Sequence, residues 1–351
     1  METIQSISYP VVFNDGFAAL KRFLSEKKYS KVFFLVDENS EKYCLPLLVE
    51  SLGIQEYDLI EVTSGEENKN IDFCIGIWKM LIDFGADRNS LLINVGGGVI
   101  TDMGGFAAST FKRGIDFVQV PTTLLSQVDA SVGGKTGIDM DHLKNIIGTF
   151  AQPKAVFIDT NLLKTLPQRQ LVSGFAEMLK HGLIADRNYF YLLKEASPEN
   201  IDPALIHHSI KIKNKVVLQD PEEKGLRKIL NFGHTIGHAV ESFSLQNDQI
   251  ALTHGEAIAI GMICEAFLST QKTGLSAADL QEIVTTFKTF YEKHTIKEAS
   301  VLDLIELMKS DKKNASGHIN CSLLTQIGQC AIDYFCTEEE LCQSLKFYIN
   351  C

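Results

Sequence analysis

The stretch "LLINVGGGVITDMGG" covers residues 91–105 and indicates how the first half of the chain folds. Its first residues form an apolar run typical of a buried strand, three glycines follow, and a helical pattern begins directly after them. Glycines at such a turn let backbone amides approach an anion at a helix N-terminus. They equally suit a plain tight turn, and the spacing is not that of the GxGxxG dinucleotide fingerprint, so the ligand stays open at this point.

Further strand-like runs surround this stretch, and a helical segment at 71–86 precedes it. These runs lie at residues 31–39, 57–62, 117–123 and 155–159. Alternation of strand and helix predicts parallel pairing with helices on the faces of the sheet. We therefore expect an α/β domain over residues 1–165.

Helical periodicity dominates the rest of the chain, which predicts a mainly α-helical second domain over residues 166–351. The predicted helices lie at 168–185, 203–219, 233–243, 254–272, 277–292 and 301–310. A single late hairpin is predicted at 319–335.

Composition restricts the classes of partner. The 351 residues carry a formal net charge of −11, which argues against a grip on nucleic acid or on an anionic membrane. No apolar run reaches the length of a bilayer span, and the N-terminus lacks a signal-peptide pattern, so a cytoplasmic location is expected. The eight cysteines form no CxxC pair, which is typical of core thiols rather than of a disulfide framework.

Polar and cationic residues that could bind an anion are scattered along the chain. The stretch at 120–148 is rich in Gly, Ser, Thr, Asp and Lys, which predicts a loop that could carry function, although the residues alone favour a solvated surface loop. Its candidates are Asp129, Lys135, Lys144 and Asn145. Other cations are Arg113, Lys180, Lys213, Arg227 and the pair in "DKK" at 311–313; each could also be an ordinary surface charge.

A metal site is suggested by histidines at helical spacing. His234 and His238 in "NFGHTIGHA" share a helix face, although the zincin motif HExxH is absent. His254 begins a predicted helix, and Glu177 is a carboxylate among apolar residues, where an unpaired charge would be costly. Surface or capping histidines are the alternative reading.

Taken together, the motifs resemble the dehydroquinate synthase family of sugar-phosphate cyclases. They are "GGGVITD", "KRGIDFVQVPTTLLSQVDASVGGKTGID", "KNIIG", "GFAEMLKHG", "GLRKILNFGHTIGHA" and "HGEAIAIGM", in order over roughly residues 30 to 330. Such a series is far more specific than any single motif. The resemblance implies a nucleotide-binding α/β domain that holds NAD⁺, a helical domain with zinc or cobalt, and a homodimer.

The implied reaction converts 3-deoxy-D-arabino-heptulosonate 7-phosphate to 3-dehydroquinate and phosphate, the second step of the shikimate pathway. It proceeds by transient oxidation of the C5 hydroxyl by NAD⁺, elimination of phosphate, reduction, ring opening and intramolecular aldol closure. The metal acts as a Lewis acid in this scheme, and the cofactor is regenerated in each turnover.

The resemblance also implies roles for individual residues. The metal ligands are Glu177, His234 and His254, and the catalytic residues are His238, Glu223 and Lys180. The substrate contacts are Arg113, Asp129, Lys135, Asn145, Lys180, Lys213, Arg227, Asn231 and Lys312. The cofactor contacts are Asp37, Gly65, Lys69, Gly97, Gly98, Asp102, Thr122, Thr123 and Lys144. From the residues alone, Asp37 is more simply a turn former.

The chain departs from the family pattern at Thr101, where glycine is usual, and at Pro221, where a polar residue is common. A β-branched residue would be strained at positive φ, so we expect ordinary backbone geometry at Thr101.

Three alternatives remain open on sequence grounds. One is a sister cyclase that makes an inosose, an epi-valiolone or an amino-dehydroquinate; another is a metal-dependent polyol dehydrogenase of similar build. The third is a binding or regulatory protein that lost catalysis, against which the complete set of Glu177, His234, His254 and His238 argues.

Overall fold

The computed structural model describes residues 3–140, 143–309 and 319–351. The chain divides into two compact units, an N-terminal unit (Met1–Pro167) and a C-terminal unit (Gln168–Cys351). Among the described residues, no helix combines the length and the apolar character that a bilayer span requires.

The N-terminal unit is built on a seven-stranded sheet, as the alternating pattern predicts. Its strands are β1 (Thr3–Gln5), β2 (Pro10–Phe13), β3 (Val32–Asp37), β4 (Asp58–Val62), β5 (Leu91–Gly96), β6 (Asp116–Pro121) and β9 (Val156–Ile158); its helices are α1 (Ala18–Glu26), α2 (Glu38–Tyr43), α3 (Leu45–Leu52), α4 (Ile71–Asp83) and α5 (Gly98–Thr110). The strand order is β1-β2-β9-β6-β5-β3-β4, and every pair except β1 with β2 is parallel.

Side chains of β3 alternate between two hydrophobic cores. Phe33 and Leu35 pack on one face of the sheet with the apolar side of α4 and α5, whereas Phe34 and Val36 pack on the other face with α3. A strand buried on both faces shows no polar alternation, and this explains the continuous apolar runs in the sequence.

The prediction of a loop over 120–148 is wrong in large part. Residues Ser126–Ala130 form a π-helical turn, and β7 (Lys135–Met140) pairs with β8 (Leu143–Phe150) as an antiparallel hairpin. Ile138 and Thr136 are buried against the core of α5. The polar residues of this hairpin give it the sequence pattern of a loop. Its apolar side chains are buried only because they pack on α5, which lies earlier in the chain.

The C-terminal unit is mainly helical, as predicted. Its helices are α6 (Gln168–Ala185), α7 (Arg187–Lys194), α8 (Pro203–Gln219), α9 (His234–Asn247), α10 (His254–Lys272), α11 (Ala277–Phe290), α12 (Val301–Lys309) and α13 (Glu338–Asn350), and its hairpin is β10 (Ile319–Gln326) with β11 (Gln329–Cys336). Helix α10 is buried around most of its circumference and packs on α6, α9, α11 and α13, so it is the core helix of this unit.

Glycines allow α9 and α10 to pack in close contact. A Cβ on Gly261 would lie 1.9 Å from the Gly233 carbonyl oxygen, and a Cβ on Gly237 would lie 3.0 Å from the Cα of Ile258. Two helix backbones can approach this closely only where no side chain separates them.

The variant Gly261→Ala should therefore be destabilised by about 3 kcal/mol, since a rigid backbone atom occupies the position of the new methyl group. Urea unfolding followed by circular dichroism measures this loss. Gly76→Ala in α4 is the control, because its Cβ meets no atom within 4 Å and the substitution should stabilise by about 0.5–1 kcal/mol. Equal stability of the two variants would contradict the close helix contact.

Candidate active site

Three helices of the C-terminal unit bring titratable side chains together. Glu177 lies in the middle of α6 and is fully buried, His234 is the first residue of α9, and His254 is the first residue of α10. A capping box between Thr253 and Glu256 fixes the start of α10. The sequence prediction that the carboxylate and the two imidazoles share a site is consistent with this convergence.

The three side chains offer donor atoms at metal-ligand spacing. Nε2 of His234 and Nε2 of His254 each lie 3.6 Å from Oε1 of Glu177. All three donor atoms lie within 4.8 Å of one another. Neighbouring ligand atoms of a tetrahedral zinc site are roughly 3.3 Å apart, given metal–ligand distances of about 2.0–2.1 Å. The donor set therefore fits a divalent metal with a small contraction.

Hydrogen bonds on the opposite ring nitrogens orient both imidazoles. Nδ1 of His234 lies 3.2 Å from the Phe232 carbonyl oxygen, and Nδ1 of His254 lies 3.0 Å from Oε2 of Glu241. Both oxygens only accept, so each Nδ1 carries a proton, and each Nε2, which lies toward Glu177, is left to take a metal ion or a second proton. This is the arrangement that metal-bound histidines adopt.

Charge around His254 is strongly negative. Burial of the ring lowers its pKa, but the nearby carboxylates of Glu241 and Glu177 together raise the pKa of His254 to about 10. A cation is therefore favoured at this position, whether it is a proton on the ring or a metal ion in its place.

His238 lies one helical turn beyond His234 on α9. Its ring centroid is 5.1 Å from that of His234 and 5.9 Å from that of His254. A second possible ligand set, formed by His238, Glu241 and His254, also has its atoms within 4.8 Å. Glu241 and His254 are close enough to form a direct hydrogen bond. This favours a carboxylate that orients the His254 ring over one that binds a metal ion together with it.

Buried cations lie in the same unit. The exposed fractions of Lys180, Lys213 and Arg227 are 1%, 5% and 2%. Lys180 forms an ion pair with Glu177 one turn earlier on α6. A lysine or arginine this deeply buried needs an anionic partner, which makes these three unlike ordinary surface charges.

The loop between α8 and α9 is held by internal hydrogen bonds. Arg227 donates from its guanidinium to the Pro221 carbonyl at 2.6 Å, and its backbone N–H donates to Asp220 at 3.0 Å. Asn231 donates to Glu223 at 2.6 Å, and Glu223 has a left-handed backbone with φ of 60°. The loop thus carries a half-buried carboxylate, Glu223, paired with another predicted site residue, Asn231.

A charged network in the N-terminal unit joins several of the predicted cofactor contacts. Nζ of Lys69 lies 2.7 Å from Asp102 and 2.7 Å from Oδ1 of Asn145. Lys144 pairs with Glu66, and with Asp139 at 3.1 Å. Lys69 is only 4% exposed, so its interactions form a largely buried network rather than an ion pair on the surface.

The glycine turn lies where the order of the strands reverses. Strands β3 and β5 are neighbours in the sheet. From β3 the chain continues to β4 on one side, and from β5 it continues to β6 on the other side, so the switch point lies between the carboxyl ends of β3 and β5. Asp37 ends β3, and Gly97 precedes the 13-residue helix α5. Ligands of open parallel sheets bind at this position.

Asp37 also caps α2, as the simpler interpretation of the sequence predicts. Its carboxylate accepts backbone hydrogen bonds from Asn39 and Ser40. Burial raises the pKa of Asp37, and these hydrogen bonds partly offset the rise. The cap uses one carboxylate oxygen, Oδ1.

Thr101 lies in the first turn of α5 without positive φ, which confirms the expectation of ordinary geometry. Its hydroxyl lies 3.2 Å from the Gly97 carbonyl oxygen and 3.2 Å from the Ser126 hydroxyl, while its carbonyl accepts from Gln119. The Thr101 side chain thus links the glycine turn to the π-helical turn at Ser126–Ala130.

The remaining predicted residues are placed individually. Gly65 has φ of 117° and precedes a short 3₁₀ turn. Gly98 is the first residue of α5. Thr122 and Thr123 follow β6, and the Thr123 side chain lies 3.0 Å from the position that a Cβ on Gly97 would occupy. Asp129 lies in the π-helical turn, Lys135 starts β7, and Arg113 is exposed on a turn after α5. Lys312 lies outside the described residues.

Four carboxylates with partners in these networks are absent from the sequence predictions: Glu66, Asp139, Glu241 and Glu265. For two of them a signal was present. Glu241 and Glu265 lie within apolar helical segments, as Glu177 does, and both are buried. The cost of burying a charge, applied to every such carboxylate, would have found them.

Comparison with known proteins gives matches over most of the chain. The chain matches the family of 3-dehydroquinate synthase N-terminal domains over residues 59–173 and that of the C-terminal domains over residues 174–314. A 3-dehydroquinate synthase from Parabacteroides distasonis is 43% identical over 342 residues, which cover 96% of this chain and 97% of that protein. One from Clostridium beijerinckii is 40% identical over 93% of this chain and 95% of that protein.

Solved structures show the same fold at lower identity. A 2-deoxy-scyllo-inosose synthase complexed with carbaglucose-6-phosphate, NAD⁺ and Co²⁺ superposes with a TM-score of 0.85 at 24% identity, over 99% of each chain. The 2-epi-5-epi-valiolone synthase of Streptomyces hygroscopicus subsp. jinggangensis, with NAD⁺ and Zn²⁺ bound, gives 0.84 at 23%, over 100% of this chain and 99% of that one. By its sequence matches over nearly its whole length, the chain belongs to the 3-dehydroquinate synthase family.

Proposed function

We propose that this chain converts 3-deoxy-D-arabino-heptulosonate 7-phosphate to 3-dehydroquinate and phosphate. The observation that carries the proposal is the triangle of Glu177, His234 and His254 with His238 one turn away, in a chain of the 3-dehydroquinate synthase family. A binding protein would have little use for a metal-ligand set with an adjacent proton carrier.

In this proposal, residues 166–351 form the metal- and substrate-binding domain. Glu177, His234 and His254 would hold zinc or cobalt, because two neutral imidazoles and one carboxylate leave a coordination position open for substrate. The metal, when bound, supplies Lewis acidity to a substrate hydroxyl. Glu241 accepts from Nδ1 of His254 and so keeps Nε2 directed toward Glu177, which would be a fellow ligand of the metal.

Residues 1–165 form the NAD⁺-binding domain in this proposal. The switch point of the sheet, the glycine turn before α5 and the network around Lys69 fit a dinucleotide. The nicotinamide, when bound, supplies a reversible hydride acceptor. The proposed contacts are Asp37, Gly65, Lys69, Gly97, Gly98, Asp102, Thr122, Thr123 and Lys144.

His238 is the proposed proton carrier of the site. It is half-buried, so it is reachable by substrate, and its ring lies 5.1 Å from that of His234 and 5.9 Å from that of His254. Lys180 and Glu223 are the other proposed acid–base residues. Asn231 orients the Glu223 carboxylate by its hydrogen bond.

Anion recognition is assigned to the buried cations. Lys180, Lys213 and Arg227 are nearly inaccessible and suit a carboxylate or phosphate. The further proposed substrate contacts are Arg113, Asp129, Lys135, Asn145, Asn231 and Lys312. A cytoplasmic homodimer is proposed on the family resemblance; sedimentation equilibrium would test the dimer.

The deciding experiment measures phosphate release from the heptulosonate phosphate with added NAD⁺ and zinc, and identifies the carbon product by NMR. We expect 3-dehydroquinate, no net NADH, and loss of activity with a chelator. Absence of release from loaded protein would contradict the proposal, and sedoheptulose 7-phosphate would then test for a sister cyclase. Net NADH from a simple alcohol would instead indicate a polyol dehydrogenase.

The variant Glu241→Gln should raise the dissociation constant for zinc about 10- to 100-fold while the protein stays folded. The amide can still accept from His254, but it carries no charge to increase the basicity of the ring. Zinc affinity is measured by competition with a chelator. Glu340→Gln is the control, since Glu340 caps α13, which carries none of the proposed ligands, and pairs with Lys272 rather than with a histidine. Equal zinc affinity in both variants would contradict the supporting role of Glu241.

A further inference from the structure

A buried carboxylate on α10 has no role in the proposed function. Glu265 is fully buried in the middle of the helix, within the apolar segment "IAIGMICEAF". A carboxylate there costs several kcal/mol of desolvation unless hydrogen bonds or charges stabilise it. Its contacts therefore indicate what it is for.

The Glu265 carboxylate accepts hydrogen bonds from the start of α9. Oε2 accepts from the Gly233 N–H at 2.7 Å, and Oε1 accepts from the Ile236 N–H at 3.2 Å. Gly233 is the residue before α9, and as a glycine it has no side chain to cap the helix. The first N–H groups of a helix require acceptors, and negative charge at this end is favoured by the helix dipole. Glu265 thus caps α9 from a neighbouring helix.

The glycine contact between α9 and α10 permits this cap. A Cβ on Gly233 would lie 2.3 Å from Cγ of Met262, and one on Gly261 would meet the Gly233 carbonyl. Gly233 also has φ of 82°, which disfavours any other residue. These glycines therefore let the N-terminus of α9 lie close enough to α10 to reach the side chain of Glu265, one turn beyond Gly261.

His234 lies between the two capped residues, Gly233 and Ile236, in the sequence. This histidine follows Gly233 directly, and its ring is oriented by the Phe232 carbonyl on the other side. If the carboxylate were lost, two buried N–H groups would lack their acceptor, and the turn carrying the ring and its orienting carbonyl would shift together.

We propose that Glu265 is a positioning residue of the metal centre, which holds His234 in its ligating orientation by capping α9. This inference rests on the proposed function, because it assumes that Glu177, His234 and His254 bind a divalent metal. It predicts an effect on metal affinity rather than on stability alone.

The test titrates metal-free protein with Co²⁺, following the visible ligand-field bands, and obtains the zinc dissociation constant by competition. Glu265→Gln keeps the shape and one acceptor oxygen, and we expect its zinc dissociation constant to rise at least about 10-fold. Ser269→Ala is the matched control on the same helix. It removes the acceptor of the buried Leu324 N–H, so it should lower stability with unchanged zinc affinity.

Each result has a definite reading. Zinc affinity at the parent value in Glu265→Gln, with stability lowered as in Ser269→Ala, would overturn the inference. Failure of the parent protein to bind Co²⁺ or zinc would overturn the proposed function itself. If Glu265→Gln does not fold, hydrogen exchange of the parent decides: the Gly233 and Ile236 amides should exchange only by global unfolding, and fast exchange would contradict the cap.

Discussion

The His234→Ala protein should lose both its metal and its turnover, whereas His238→Ala should keep stoichiometric metal and lose turnover by about 10²- to 10⁴-fold. The reason lies in the positions of the two rings. Nε2 of His234 lies 3.6 Å from Glu177, and its Nδ1 lies within hydrogen-bond distance of a carbonyl. His238 lies one turn further along, where it can handle protons without ligating.

Metal content and steady-state turnover, measured on the same preparations, check this division of roles. The rival ligand set of His238, Glu241 and His254 predicts the reverse pattern, with metal lost in His238→Ala and retained in His234→Ala. His208→Ala serves as the control, because that histidine is exposed and pairs with Asp186. Equal loss of metal in both site variants would refute either assignment.

The variant Glu177→Gln should have the second large effect, on stability as well as on the metal. It removes a ligand, and it also leaves Lys180, which is 1% exposed, without the carboxylate of its ion pair. Breaking a buried pair by removing one partner typically costs about 3–5 kcal/mol. Zinc affinity should fall beyond the range of the competition assay.

A second substitution separates these two effects. In Glu177→Gln with Lys180→Met, neither buried charge of the ion pair remains, so the free energy of unfolding of the metal-free protein should return to within about 1–2 kcal/mol of the parent. Zinc binding should stay lost, because the ligand is still absent. Urea unfolding of chelator-treated protein gives the first quantity. A double variant no more stable than Glu177→Gln would show that the ion pair does not account for the loss.

Much of the architecture could be predicted from local patterns. The strand-like runs correspond to β3, β4, β5, β6 and β9, and the predicted helices correspond to α4, α6 and α8–α12, because apolar periodicity reports which face of an element is buried. The hairpin of β7 and β8 was overlooked, since its polar residues resemble a loop and its burial depends on α5. Local composition cannot report a packing partner that lies elsewhere in the chain.

The sequence by itself determined the α/β and helical halves, the family, and the pairing of His234 with His238 on one helix face. Only the tertiary structure decided which further carboxylates accompany the predicted set of Glu177, His234 and His254. Glu241 orients His254, and Glu265 caps α9 from α10. Helical spacing relates residues within a turn or two, whereas these contacts join separate helices, and their geometry depends on glycines that let two backbones touch.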